Sequence, residues 1–117
     1  MNINAIIKSA LSDLDLPVSW IEHRGDETEY IVFDFEESPS LYGDNSDVAA
    51  SAMVYVYYFT TNDPIPKISE IRRALRASDF TILETLTTAA DNARQKTELT
   101  YKTLIRARFD GCPEIWG

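Results

Sequence analysis

The 117-residue chain predicts an α+β fold: a mainly antiparallel β-sheet of about five strands with two helices packed on it, in the order α-β-β-β-α-β-β. Three observations lead there. Two stretches repeat apolar residues at steps of three and four, the signature of a helix with one buried face. Five further stretches are rich in Val, Ile, Tyr, Phe and Thr, and most of them alternate. The strand-like runs follow one another directly instead of alternating with helices, which favours an antiparallel sheet.

Ile3, Ile6, Ile7, Ala10, Leu11 and Leu14 place the first helix over residues 3–15. Asn2 is its expected N-cap, and Pro17 ends it by disfavouring helix in the residue before. Residues 18–23 and 29–36 are two short strand-like runs, and the glycine-containing turn at 24–28 is short enough to join them as a hairpin. In the second run Ile31, Phe33 and Phe35 share the face expected to be buried. Residues 37–47 concentrate Ser, Pro, Gly, Asn and Asp and read as a loop. The strand over 48–61 is apolar on both sides, with Met53, Tyr55, Tyr57 and Phe59 on one and Val54, Val56 and Tyr58 on the other. A central strand covered on both faces, or on one face by a neighbouring subunit, has this pattern.

Asp63-Pro64-Ile65-Pro66 opens the second helix, with Asp63 as cap and both prolines where a missing N–H costs nothing. Ile65, Ile68, Ile71 and Leu75 form its expected buried stripe. Arg72, Arg73 and Arg76 cluster toward its end, as a solvated face favoured by the helix dipole. Residues 80–87 and 99–110 are the last two strands, joined by a polar stretch. In the final one Lys102, Arg106 and Arg108 point away from the Thr103, Ile105, Ala107 and Phe109 face. Such a row protects a sheet edge or forms a binding surface.

The length suits one domain over 1–117. With 44% hydrophobic and 11% aromatic residues the composition is that of a folded protein. No window approaches a membrane span, and the N-terminus lacks the order of a signal peptide. The single cysteine rules out an intrachain disulfide, so folding in a cytoplasm is expected. The net charge of −8 argues against a nucleic-acid binder, which normally shows a basic footprint. Residues 1–66 hold twelve acids against two bases, and residues 67–117 hold seven acids against nine bases. Surface charges fall this unevenly by chance in short chains, or the split marks two unlike faces suited to head-to-tail packing.

Catalysis by a nucleophile needs a base in reach and an orienting group. His23 and Cys112 are the single members of their types, and two such residues fall short of the four ligands of structural zinc. His23 is expected to be exposed at a strand end. Asp44-Asn45-Ser46-Asp47 lacks the spacing and distal glutamate of a calcium loop. The chain is therefore expected not to be an enzyme and to carry no metal or cofactor.

Several local patterns then acquire a common meaning. An amphipathic N-terminal helix leads into Pro-Val-Ser-Trp at 17–20, and Tyr-Ile-Val-Phe-Asp-Phe at 30–35 runs into Ser-Pro-x-x-Tyr-Gly-Asp at 38–44. Ala-Met-Val-Tyr-Val-Tyr-Tyr-Phe at 52–59 precedes Lys-Ile-Ser-Glu-Ile-Arg-Arg-Ala-Leu at 67–75, and the last strand closes the chain with 97–109. In this order the chain resembles, over roughly residues 3–110, the small tail-completion or tail-terminator proteins of long-tailed bacteriophages and prophages. It departs from them at Ser78-Asp79-Phe80, where a glycine is usual after the second helix, and in its long polar connection after residue 87.

The resemblance implies a virion structural protein: a homo-oligomeric ring, usually a hexamer, at the head-proximal end of the tail. Such a ring ends tail-tube polymerisation and joins the tail to the head connector. Its partners would be its own copies, the tail tube protein and the head connector or head-completion protein, with DNA only as passing cargo and no membrane. Assembly would take place in the host cytoplasm. Ser38, Tyr42, Gly43, Asp44, Asn45 and Asp47 are the candidate pore or ring-docking loop, and an acidic lumen would repel passing DNA. Lys102, Arg106 and Arg108, facing the acidic half with Asp34 and Glu36, are the candidate intersubunit surface. A head-completion or connector protein is the neighbouring reading. From a different class comes a monomeric acidic inhibitor that mimics nucleic acid.

Overall fold

The computed structural model of the chain describes residues 3–25, 27–38, 51–89 and 100–109, with the backbone alone at 37, 38 and 51. The expected cap at Asn2 lies outside them. Five strands form one sheet, β1 Val18–Trp20, β2 Tyr30–Ser38, β3 Ser51–Thr60, β4 Phe80–Ala89 and β5 Tyr101–Phe109. Their spatial order is β1-β2-β3-β5-β4. Helices α1, Ile3–Ala10, and α2, Ile65–Ala77, complete the expected α+β class and element order.

Ile3, Ile7 and Leu11 of the first stripe are fully buried, and its last member Leu14 is buried as well. The α-helix ends earlier than expected, at Ala10, and tightens into a 3₁₀ turn at Ser12–Leu14. There Leu14 N donates to Leu11 O at 3.2 Å, and the Ser12 hydroxyl donates to Ser9 O at 2.8 Å. The tighter turn keeps Leu14 in the core while Asp15, at φ 59°, redirects the chain into Pro17.

In α2, Asp63 Oδ1 accepts from Ile65 N at 3.1 Å, the capping role expected of it. Ile68, Ile71 and Leu75 are buried, but Ile65 is 64% exposed and does not belong to the stripe. Pro64, four residues before Ile68, is buried in its place. Both helices cover the same face of the sheet. Their stripes meet Ile31 and Phe33 of β2, Val54, Val56 and Tyr58 of β3, and Ile105, Ala107 and Phe109 of β5 in one core.

The expected hairpin between the first two strands does not form. β1 runs parallel to β2, with Val18 beside Ile31 and Trp20 beside Phe33. Parallel neighbours ordinarily need a long crossover. Here β1 is so short that the chain has only its length to retrace, and Ile21, at φ 74°, turns it back. β5 pairs with β3 on one side and β4 on the other. Its row of cations therefore lies inside the sheet and does not guard an edge.

β4 contains a bulge between Ile82 and Glu84. Phe80 and Ile82 pair with Phe109 and Ala107 on the covered side, and beyond the bulge the alternation is inverted. In a regular ladder Leu83 would stand opposite Arg106 and Glu84 would point toward the core; the bulge leaves Leu83 unpaired. With it, Glu84 stands opposite Arg106 and Leu86 opposite Leu104, both on the face away from the helices.

Candidate functional site

Among the described residues, no helix lies on the other face of the sheet. Four strands contribute to it at matching levels set by the pairing register. Tyr30, Phe59 and Lys102 stand side by side at one end; Val32, Tyr57 and Leu104 follow. Asp34, Tyr55 and Arg106 come next, then Glu36, Met53 and Arg108. The face is thus three columns: acidic toward the end of β2, aromatic along β3, basic along β5. The expected intersubunit residues Asp34, Glu36, Lys102, Arg106 and Arg108 all lie on it, with β3 between the two signs.

The aromatic column is ordered by contact. His23 stacks on Tyr30 with ring centroids 4.0 Å apart and an 11° tilt, and Tyr30 stacks on Phe59 at 4.9 Å and 19°. Lys102 Nζ sits 5.1 Å from the centre of the Tyr57 ring, within cation–π range. The Tyr55 hydroxyl donates to Glu36 Oε1 at 3.3 Å, and Arg106 Nε donates to Glu84 Oε1 at 3.2 Å. Burial raises the Tyr30 phenol above its usual range; burial first, and then the Glu36 carboxylate, raises that of Tyr55.

The connection from β1 to β2 rises at one side of this face and encloses a groove of about 340 Å³. Its floor is Val32, Tyr57 and Phe59, and its wall is Ile21, Glu22 and His23. His23, expected at the surface, has a side chain only 9% exposed because Tyr30 covers its ring. Its Nε2 lies 2.9 Å from Glu27 Oε1. Among the described residues no serine, threonine or cysteine lines the groove, and there the histidine–carboxylate contact has no small nucleophile to activate. Among the described residues no group of three or more His, Cys, Asp or Glu is placed to hold a metal ion, and no helix is long and apolar enough to cross a membrane.

The candidate loop residues Tyr42, Gly43, Asp44, Asn45 and Asp47 lie outside the described residues, as does Cys112. Ser38 is described by its backbone, as the last residue of β2. Sequence alternation marks Tyr55, Tyr57 and Phe59 as one side of a strand. It carries no sign that His23, Glu84 and Leu86 join them, because a turn and a bulge bring those three into place. Compared with protein families and with curated protein sequences, the chain matches none.

Proposed function

We propose that the chain is a virion structural subunit of the tail-terminator or tail-completion type, acting through its surfaces and not through chemistry. The observation that carries the reading is the uncovered face of β2, β3 and β5. It offers stacked aromatics and two columns of opposite charge, a composition suited to contact with protein. Among the described residues its groove lacks the small nucleophile that a catalyst of acyl transfer would need there.

A ring requires two different surfaces on each subunit. The sheet supplies unlike sides: β4 is the outer strand at one, while at the other β1 stops beside Phe33 and residues 34–38 of β2 run past its end. Main-chain pairing between such sides would continue the sheet from subunit to subunit. The resemblance to phage tail proteins gives this ring its place, at the head-proximal end of the tail. There it would end tube growth and meet the head connector. A head-completion protein would use the same surfaces one layer higher.

The acidic-inhibitor reading is weakened by a specific arrangement. On this face Asp34 and Glu36 are matched by Arg106 and Arg108 at the same levels, so no uniformly acidic patch imitates a phosphate backbone. Deleting the gene from the phage or prophage that carries it tests the main proposal. The expected result is tails that overrun their normal length or fail to join heads. Normal infectious particles without the protein would overturn it.

A further inference from the structure

We infer that the uncovered sheet face is a self-complementary docking surface for a second copy of this chain, paired about a two-fold axis that runs along β3. The inference goes beyond the ring proposal by giving this face one occupant, a second copy seated face to face, while the sides of the sheet remain for ring contacts. It holds whether or not the chain is part of a virion.

The register supplies the geometry. Strands lie about 4.8 Å apart, so the acidic column on β2 and the basic column on β5 stand at equal distances on either side of β3. Turning a second copy over about an axis parallel to β3 exchanges left and right and leaves the level along the strand unchanged. Asp34 then faces the other copy's Arg106, and Glu36 faces its Arg108, because those residues share levels through Tyr55 and Met53. Tyr30 comes over Lys102 in the same way, and the β3 aromatics meet their own counterparts. Every contact occurs twice, as an isologous interface demands. The other in-plane axis, across the strands, lays β2 on β2 and sets acid against acid and base against base, so electrostatics selects the first.

The apolar surface agrees. Ile21 on the groove wall is 57% exposed and Leu86 on the outer strand is 51% exposed. They sit at opposite sides of the sheet, and the same rotation brings each side over the other. The patch spans four strands and about 20 Å along them, which corresponds to a specific interface at the small end, near 1,000 Å² in total. A pair of that size is reversible, with a dissociation constant in the micromolar range or about tenfold either side.

Light scattering across a concentration series reads the outcome. The expected mass rises from 13.3 kDa toward twice that value, with the midpoint moving to higher protein concentration as salt screens the columns. Two variants carry one sign each: Asp34→Lys with Glu36→Lys, and Lys102→Glu with Arg106→Glu and Arg108→Glu. Each alone is expected to be monomeric at concentrations where the parent pairs, and an equimolar mixture to pair again, since each basic column then meets an acidic one. Should either variant fold poorly by circular dichroism, Tyr57→Cys in a Cys112→Ser background replaces it. A short bismaleimide should link that residue to its own counterpart across the axis, and no such link should form from Arg73→Cys on α2. A protein that stays monomeric to about 1 mM, the limit of measurable weak pairing, overturns the inference. So does a larger assembly unaffected by either charge variant, which would place association at the strand edges. A mixture that fails to pair overturns the two-fold register.

Discussion

Glu84 Oε1 accepts a hydrogen bond from Arg106 Nε at 3.2 Å because the bulge in β4 leaves Leu83 unpaired and sets Glu84 in its place opposite Arg106 on the uncovered side of the sheet. Both side chains remain partly exposed, so the ion pair itself adds little to stability. Its cause matters more than its energy. Glu84→Ala is expected to change stability by less than about 1 kcal/mol. Deleting Leu83 would make Ile82 and Glu84 neighbours in an unbroken ladder, with the pairs Ile82–Ala107 and Glu84–Arg106 intact, so it should cost no more than about 2 kcal/mol. Urea denaturation should give midpoints close to the parent's for both variants, and loss of folding on deletion of Leu83 would show that the unpaired residue is needed where it stands.

Tyr58 is buried on the helix-covered side, and its hydroxyl donates to Glu29 just before β2. Burial first, then that hydrogen bond, pushes its phenol far above the usual tyrosine range. The folded protein therefore holds this proton more tightly than the unfolded chain. The resulting stability is complete below a pH of about 10, the unfolded value, and is lost as the pH rises above it. Thermal melts from pH 8 to 11 should show a decline that Tyr58→Phe makes shallower. At neutral pH Tyr58→Phe should cost about 1–2 kcal/mol, since Glu29 loses a donor. An unchanged alkaline slope would remove Tyr58 as its source.

Asp79 ends the turn after α2 at φ 71°, with its N–H donating to Arg76 O at 3.3 Å. A left-handed backbone at this place suits glycine better than aspartate. Asp79→Gly should raise stability by up to about 1 kcal/mol, a melting shift of a few degrees. Ile21, β-branched at φ 74° and exposed, is a second strained point. Ile21→Asn should be neutral or stabilising by a similar amount, and a melting point lowered by several degrees would contradict the strain.

Ile65 and Ile68 look equivalent in sequence and are not so in the fold, where the first is exposed and the second buried. Ile68→Ala should cost about 2–4 kcal/mol through the cavity left in the core, and Ile65→Ala less than about 0.5 kcal/mol. Equal losses in a denaturation experiment would restore Ile65 to the buried stripe.

Period alone determined much of this protein. The stripe Ile3, Ile7, Leu11 and Leu14, the inward set Ile31 and Phe33, and the alternation of β5 are local, because the pleat and the helical turn dictate which neighbours share a side. The acidic and basic columns were legible for the same reason. What surrounds each strand was not. β5 looked like an edge and lies between β3 and β4; β1 looked like half of a hairpin and runs parallel to β2; His23 looked exposed and lies under Tyr30. Each outcome depends on contacts between distant residues, on a backbone reversal at Ile21, or on one inserted residue at Leu83. Alternation reports that a residue faces the core or faces away, and only the assembled sheet decides what stands beside it.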